Sequence, residues 1–423
     1  MKFDSQLVDA CRAQFPALRR EQNDQSVIYF DGPAGTQVPQ CVADAMSHYL
    51  LHCNANHGGH FTTSIQSDEL LHNCHQAHAE FVGATDGDEV AFGQNMTSLT
   101  FSFSRALAKT WSPGDEIIVT ALDHDANISP WVLAAKEAGA KVHFVGFDPQ
   151  DYTLDMDDLA NKLNEKTQLV AVGCASNATG GINPVKRVAE MAHQVDAKVY
   201  LDAVHYGPHG LIDVADWDCD FLACSDYKFF GPHLGMLWGR RELLEELQPF
   251  KVRPSDNRLP TRWMTGTQSH ESIAAGMACI DYIAGIGTKT GVAEGVSRRE
   301  SLKAAFAAIV EYEQTLSRKL IEGLSEIEEI DIYGITDLTR LNDRFPTFSI
   351  RHRNIPPAEL ATQLSQHGIF VWNGNYYALE FSERMGFEPE GMVRIGLVHY
   401  NTTDEIDRLI SVIKQLSHAS ATA

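Results

Sequence analysis

From Glu89 to Gly239 the chain repeats one pattern: a short apolar run of strand length, then a longer segment with apolar residues every three or four positions. "EVAFG", "DEIIVTAL", "KVHFVGF", "QLVAVGCAS" and "KVYLDAV" are the runs. "MTSLTFSFSRALAKTW", "ISPWVLAAKEAG", "MDDLANKLNE" and "VKRVAEMAHQV" are the helix-period segments between them. Strands joined by helical crossovers pair in parallel, and strands with almost no polar alternation are covered on both faces. "DFLACS" and "LGMLWG" supply two more strands. This stretch is therefore predicted as an α/β layer with a mostly parallel sheet at its centre.

After about Gly287 the texture changes. A long helical stretch, "SRRESLKAAFAAIVEYEQTLSRKLIEGL", precedes the short strands "IDIYG", "TFSIR", "IFVWN" and "VRIGLVHY", with the helix "PAELATQLSQHG" among them and "DEIDRLISVIKQL" near the end. That order predicts a small α+β domain. The expected organisation is a large domain over 31–287, a small domain over 288–423, and an N-terminal segment, 1–30, packing with the small domain.

Composition removes several classes of function. The 34 Lys and Arg against 56 Asp and Glu give a net charge of −22, spread along the chain. Nucleic acids and anionic lipids demand clustered basic residues, so neither is an expected partner. The N-terminal stretch lacks the apolar core of a signal peptide, and no segment approaches eighteen apolar residues, so a cytoplasmic protein is expected. The eight cysteines contain no C-x-x-C pair and read as mostly buried thiols of a reducing compartment. No cysteine follows Cys279.

The run "HCNANHGGHFTTSIQSDELLHNCHQAH" is crowded with histidines. His72, His75 and His78 step by three residues and drift around a helix, which is not a zinc-type spacing, so no metal site is expected. The segment reads as a loop near the active site followed by an ordinary helix.

The strand ends carry the chemistry. Asp123-His124-Asp125-Ala126-Asn127 follows "IIVTAL", Asn177 follows "VAVGCAS", Asp202 and His205 follow "KVYL", and Ser225 and Lys228 follow "FLAC". Ligands of open parallel sheets bind outside the carboxyl ends of the strands, so topology alone brings these residues to one crevice. Taken singly, Lys228 reads equally well as a surface lysine with a buried stem and Asp202 as a helix cap. Taken together they form a chemical set: a lysine able to form a Schiff base, a carboxylate to hold a ring nitrogen protonated, an aromatic ring to stack on a flat cofactor, and a hydroxyl with backbone amides for a phosphate. That set describes a pyridoxal 5'-phosphate site.

Seven stretches, "YFDGPAGTQVP", "DHDANISPW", "SNATGGINPV", "YLDAVHYGPH", "CSDYKFFGPHLGMLWGR", "TGTQSH" and "VRIGLVHYNT", carry a resemblance over nearly the whole chain. The sequence resembles the fold type I pyridoxal phosphate enzymes of the class V aminotransferase superfamily, in particular cysteine desulfurases and selenocysteine lyases. The resemblance implies a mostly parallel sheet of the seven-stranded type and a homodimer with shared active sites. It implies that Lys228 is the Schiff-base lysine, that Asp202 partners the ring nitrogen and that His124 stacks on the ring. Asn177 and His205 would lie near the ring hydroxyl, His205 standing where the family commonly has glutamine. The phosphate would meet Ser225, Met96 and Thr97, with Thr267 reaching it from the other subunit. Tyr227 replaces the usual histidine before the lysine. Arg394 would grip the carboxylate of an amino acid substrate, a bidentate task suited to arginine, in a pocket completed by Ala34, His57, His60, Asn375 and Tyr377.

One departure bears on function. Where desulfurases carry a sulfur-accepting cysteine this chain reads "VWNGNYYALE", with Tyr377 at or next to that position. The expected activity is therefore C–S or other β-lyase chemistry without a persulfide-forming cysteine. Transamination, epimerisation and C–C cleavage are the alternatives within the superfamily, and a non-catalytic cofactor-binding or regulatory protein is the alternative outside it.

Overall fold

A computed structural model describes residues 3–291, 293 and 295–422. Seven strands form its central sheet: β1 (Val90–Gly93), β2 (Glu116–Thr120), β3 (Lys141–Val145), β4 (Thr167–Gly173), β5 (Lys198–Asp202), β6 (Phe221–Ser225) and β7 (Gly235–Gly239). Their order is β1-β7-β6-β5-β4-β2-β3. Every pairing from β6 to β3 is parallel, whereas β7 runs antiparallel to both β6 and β1. The α/β reading from the sequence thus stands. The antiparallel β7 follows from its connection, since the short Asp226–Leu234 segment is too brief for a helical crossover.

Side chains alternate between two apolar layers, as a period of two requires. In β2, Ile117 and Val119 enter the layer containing Trp131 and Phe103, while Ile118 enters the opposite one. In β4, Leu169 and Ala171 oppose Val170 and Val172 in the same way. The sheet is buried on both faces, which is why its strands lack polar alternation.

A second, antiparallel sheet joins Ile330–Tyr333, Thr347–His352, Met392–Gly396 and Trp372–Gly374 in that order. Its own core holds Phe348, Ile350, Val393 and Ile395. The run "IFVWN" is split: Ile369–Phe370 pairs instead with Ile28–Tyr29. The first thirty residues are divided between the cores, Phe3, Leu7 and Cys11 joining the larger one and Ile28 and Phe30 the smaller. Among the described residues no helix is long and apolar enough to cross a membrane.

Backbone crowding fixes the floor of the site. Gly235 in β7 passes so close to Asn95 that an added Cβ would lie 2.3 Å from its carbonyl carbon. Asn95 caps the Met96–Leu107 helix by accepting from the Ser98 amide at 2.8 Å. Gly235→Ala should therefore push β7 away from this cap and destabilise the protein by about 1–3 kcal/mol, read from urea unfolding; an unchanged midpoint contradicts the close approach.

Candidate active site

The strand order reverses at β2, whose two neighbours are β3 and β4. Crevices in doubly wound sheets open at such switch points. Here a cavity of about 470 Å³ lies beyond the carboxyl ends of β2, β4, β5 and β6, and its far wall comes from Trp372–Tyr377, Pro389 and Arg394 of the smaller sheet region. Of the residues singled out in the sequence, Ala34, Met96, Thr97, His124, Asn177, Asp202, His205, Ser225, Lys228, Asn375, Tyr377 and Arg394 all line it. His57, His60 and Thr267 do not. They are exposed: His57 stands beside Asp68 and His270, and Thr267 lies just before the His270–Lys289 helix.

Lys228 answers to its flanking phenylalanines. Phe229 and Phe230 are fully buried, Phe229 stacking on Phe81 at 4.5 Å. They anchor the Asp226–Lys228 turn on its inner side and leave the lysine to face the cavity. Its Nζ donates to the Pro33 carbonyl and, at 3.2 Å, to that of Ala34. Burial first, and then the charge of Arg394, push its pKa down to about 7, while Asp202 opposes the shift.

Arg394 occupies the cavity by strand alternation. Val393 and Ile395 enter the small core, so Arg394 projects from the other face. It is buried, donates to the Asn177 carbonyl at 3.0 Å, and lies 4.4 Å from the centre of the Tyr376 ring. Burial lowers its pKa to about 10, against the pull of Tyr376 and Asp31. Among the described residues no carboxylate pairs with it.

Acceptors and donors line the remaining walls. Asp202, at the end of β5, accepts from the Val204 amide at 2.8 Å, and burial raises its pKa to about 6. His124 Nδ1 accepts from the Ala126 amide at 3.0 Å, so in the neutral ring the proton sits on Nε2. Burial holds it neutral, with a pKa of about 3. Asn177 Oδ1 and His205 Nε2 are buried without a hydrogen-bond partner. Ser225 Oγ accepts from the Met96 amide at 2.9 Å and so ties the end of β6 to the start of a twelve-residue helix. A helix N-terminus beside a hydroxyl suits an anion.

Asp123 stood among the strand-end residues in the sequence without a role of its own, and Asp31, Trp372 and Tyr376 were not singled out there. Asp123 is a buried brace: its carboxylate accepts from Gly173, Thr120 and Asn127 and holds the loop carrying His124 against β4. Its place directly after an apolar run was the available signal. Trp372 opens the three-residue Trp372–Gly374 strand and Tyr376 lies in the turn after it, segments too short to show periodicity, and only their aromatic character marked them.

The loop opposite Lys228 is fixed in an unusual backbone. Tyr376 and Tyr377 both have positive φ, 54° and 61°, a conformation that costs non-glycine residues about 1–3 kcal/mol each unless held. The hold is visible. Asn177 donates to the Tyr376 carbonyl at 2.9 Å, and the Asp125 amide donates to that of Tyr377 at 2.7 Å. The Tyr377 ring stacks on His124 at 5.2 Å and 26°.

Residues 28–409 match the family model for class V aminotransferases. The chain belongs to the class V aminotransferase family. Members of this family are pyridoxal phosphate-dependent enzymes. This family member is 30% identical to a probable cysteine desulfurase of Synechocystis sp., over 96% of this chain and 95% of that protein. It is also 30% identical to the aminotransferase-like protein FGM3 of Gibberella zeae, over 98% and 100% of the two chains. In structure it is similar to the cysteine desulfurase of Thermococcus onnurineus, with a TM-score of 0.86, 25% identity and coverage of 97% and 98%. The family fold is thus the fold type I arrangement expected from the motifs.

The electrostatics of this family member's cavity are testable without cofactor. The rate at which an amine-directed reagent modifies Lys228 should rise with pH about a midpoint near 7. Arg394→Gln removes a charge that disfavours the ammonium, so the midpoint should rise; Asp202→Asn removes one that favours it, so the midpoint should fall. A wild-type midpoint near the ordinary lysine value of 10.5 contradicts the buried setting.

Proposed function

We propose that this protein is a pyridoxal phosphate-dependent β-lyase acting on an amino acid with a leaving group such as sulfur on its β-carbon, without a protein persulfide. The observation that carries the reading is the pinned Asn375–Tyr377 loop. A thiol that takes sulfur from substrate and hands it on must reach both the substrate and an acceptor. Here Tyr377 stands at or next to that position by the family resemblance, and its carbonyl, like that of its neighbour, is bound to the loops after β2 and β4. Among the described residues no cysteine lines the cavity; Cys174, Cys224 and Cys279 are buried, and burial pushes their thiols well above the usual range.

The residues present fit the cofactor. Ser225 and the amides at the start of the Met96–Leu107 helix would hold its phosphate, Asp202 its ring nitrogen, His124 its ring face, and the unpartnered Asn177 Oδ1, with the His205 ring beside it in the cavity wall, suits its hydroxyl. The cofactor supplies, when bound, a sink for the electrons released at the substrate's α-carbon.

The chain's own residues supply the rest. Arg394 binds the substrate carboxylate and fixes which bond at the α-carbon faces Lys228. Lys228, with a pKa near 7, is substantially neutral at physiological pH and takes the α-proton at Nζ. Its bonds to the Pro33 and Ala34 carbonyls orient the amine. Asp202, largely ionised above its raised pKa of about 6, holds a positive charge opposite. Tyr377 and Trp372, 72% and 53% exposed, form the rim.

The active unit is read as a homodimer in which His57 and Thr267 complete the partner's cavity. Exposed Leu50, Leu51, Phe61 and Ile65 flank the His57 loop, and such an apolar patch fits an interface. Sedimentation should give twice the chain mass; a monomer with full cofactor occupancy contradicts this.

Solvent deuterium exchange at the α-carbon across an amino acid panel tests the reaction. The β-lyase reading expects exchange with release of the β-substituent, abolished by Lys228→Ala and reduced at least 100-fold by Arg394→Ala, about 3 kcal/mol. Exchange without release identifies transamination or epimerisation, and no exchange with any amino acid points to a substrate that loses another bond, such as the carboxylate, or to a protein that does not catalyse; either outcome overturns the β-lyase reading. A persulfide trapped on any cysteine during turnover with L-cysteine overturns the absence of a sulfur-carrying thiol.

A further inference from the structure

Behind the cavity wall lies a second cluster of titratable groups that the proposed reaction leaves unused. His205 faces the cavity on one side, and on the other its ring meets that of His209 edge to face, 5.4 Å between centres and 71° between planes. His209 Nδ1 is 2.8 Å from Glu313 Oε2, and both side chains are all but inaccessible to solvent. His399 lies beyond, its Nε2 2.6 Å from the Tyr282 hydroxyl. Four buried polar atoms in this cluster have no partner: His205 Nε2, His209 Nε2, Glu313 Oε1 and His399 Nδ1.

Buried polar atoms without partners are rare, and four in contiguous residues ask for an explanation. A structural cluster would pair them with each other. Their positions instead leave a path of proton-holding atoms from the Arg298–Ser325 helix, which carries Glu313, to the cavity wall. Water beside the touching rings, bridging nitrogen to nitrogen along their edges, would satisfy them.

We infer that Glu313, His209 and His205 form a buried proton relay that delivers one proton to the ring side of the cavity. The step balances. A proton passes from Glu313 Oε2 to His209 Nδ1, His209 releases the proton on its Nε2 through a bridging water, and His205 accepts it at Nε2. Glu313 ends as carboxylate, His209 neutral with its other tautomer, and His205 as imidazolium beside an anionic oxygen held in the cavity. His209 needs both ring nitrogens for this: Nδ1 is held by Glu313, and Nε2, buried with no other partner on a ring that touches His205, is left for the second transfer.

The resting charges agree with the direction of transfer. Burial raises the pKa of Glu313, against the pull of His209. Burial, His209, Arg394 and Lys228 all push that of His205 far down, and both directions favour a resting proton at the glutamate end. The groups around the relay are Arg394 and Lys228 on the cavity side of His205, His399 between His209 and Tyr282, and the His399 amide on Glu313. Cys11 faces Tyr282 from the first helix. The Phe345 ring, stacked on His209 at 4.9 Å, closes the remaining side. Glu313 and His209 touch neither substrate nor cofactor and act through His205.

The relay rests on the cavity being a pyridoxal phosphate site, and the experiment separates the two claims. The absorbance of the cofactor-loaded protein is titrated with pH for wild type, Glu313→Gln, His205→Gln and the double variant. The relay predicts that Glu313→Gln moves the spectral midpoint by a pH unit or more when residue 205 is histidine, and by less than 0.2 unit when it is glutamine. An equal shift in both backgrounds, or none in either, overturns the relay while leaving the cofactor site intact; failure of the wild type to bind pyridoxal phosphate overturns both. Should Glu313→Gln not fold, wild-type protein labelled with ring nitrogen-15 histidine replaces it. A His209 signal that changes tautomer on cofactor loading supports the relay, and an unchanged signal overturns it.

Discussion

Two cations share one desolvated cavity, and much of the surrounding structure answers to that constraint. Burying a charge costs several kcal/mol unless it is solvated by protein dipoles or paired. Lys228 meets the cost partly by loss of its proton, its pKa falling to about 7, and partly by bonds to two backbone carbonyls. Arg394 cannot deprotonate at physiological pH and relies on the Asn177 carbonyl and the face of Tyr376. Each cation lowers the proton affinity of its neighbours, His124 and His205 included. The cavity is therefore a place of neutral imidazoles, an amine poised to lose its proton near neutral pH, one carboxylate and one fixed guanidinium, a setting that suits an incoming carboxylate and a proton transfer beside it.

That arrangement depends on two sheets meeting. Arg394 comes from the smaller sheet and Lys228 from the end of β6, so the distance between them is set by the packing of the loop after β4. Gly180, with φ of 77°, sits so close to the Thr347–His352 strand that a Cβ would lie 2.5 Å from the Thr347 carbonyl. Ser349 Oγ donates to the Ala178 carbonyl, and the Phe345 amide to that of Gly180. The same loop carries Asn177, which touches both Arg394 and Tyr376. One segment thus registers the Arg394 side chain, the strained tyrosine loop and the cavity wall.

The large sheet was legible in the sequence because burial on both faces removes polar alternation and leaves uninterrupted apolar runs, as in β4 and β6. Positions at the strand ends were legible for the same reason: His124, Asn177, Asp202 and Ser225 each follow such a run, and topology gathers them. Arg394 was legible through its motif, while its inward direction follows from strand alternation seen in the fold. The structure divides "IFVWN" between two sheets, because Ile369–Phe370 finds a parallel partner in Ile28–Tyr29, some 340 residues earlier in the chain. No local pattern encodes a partner that remote. Asp226 shows the same limit. Its buried hydrogen bond with His78, 3.0 Å, fixes the lysine turn from a helix whose histidines read in sequence only as a spacing unsuited to metal. The pairing of His209 with Glu313 spans 104 residues and left no trace in either segment.

The account stands on Lys228 as the residue that binds pyridoxal phosphate. Borohydride reduction of the cofactor-loaded protein, followed by mass analysis of its peptides, tests this most directly. The expected result is one phosphopyridoxyl group per chain, on Lys228, absent from Lys228→Ala. Reduction that labels another lysine, or a protein that takes up no cofactor at any concentration, would contradict the account.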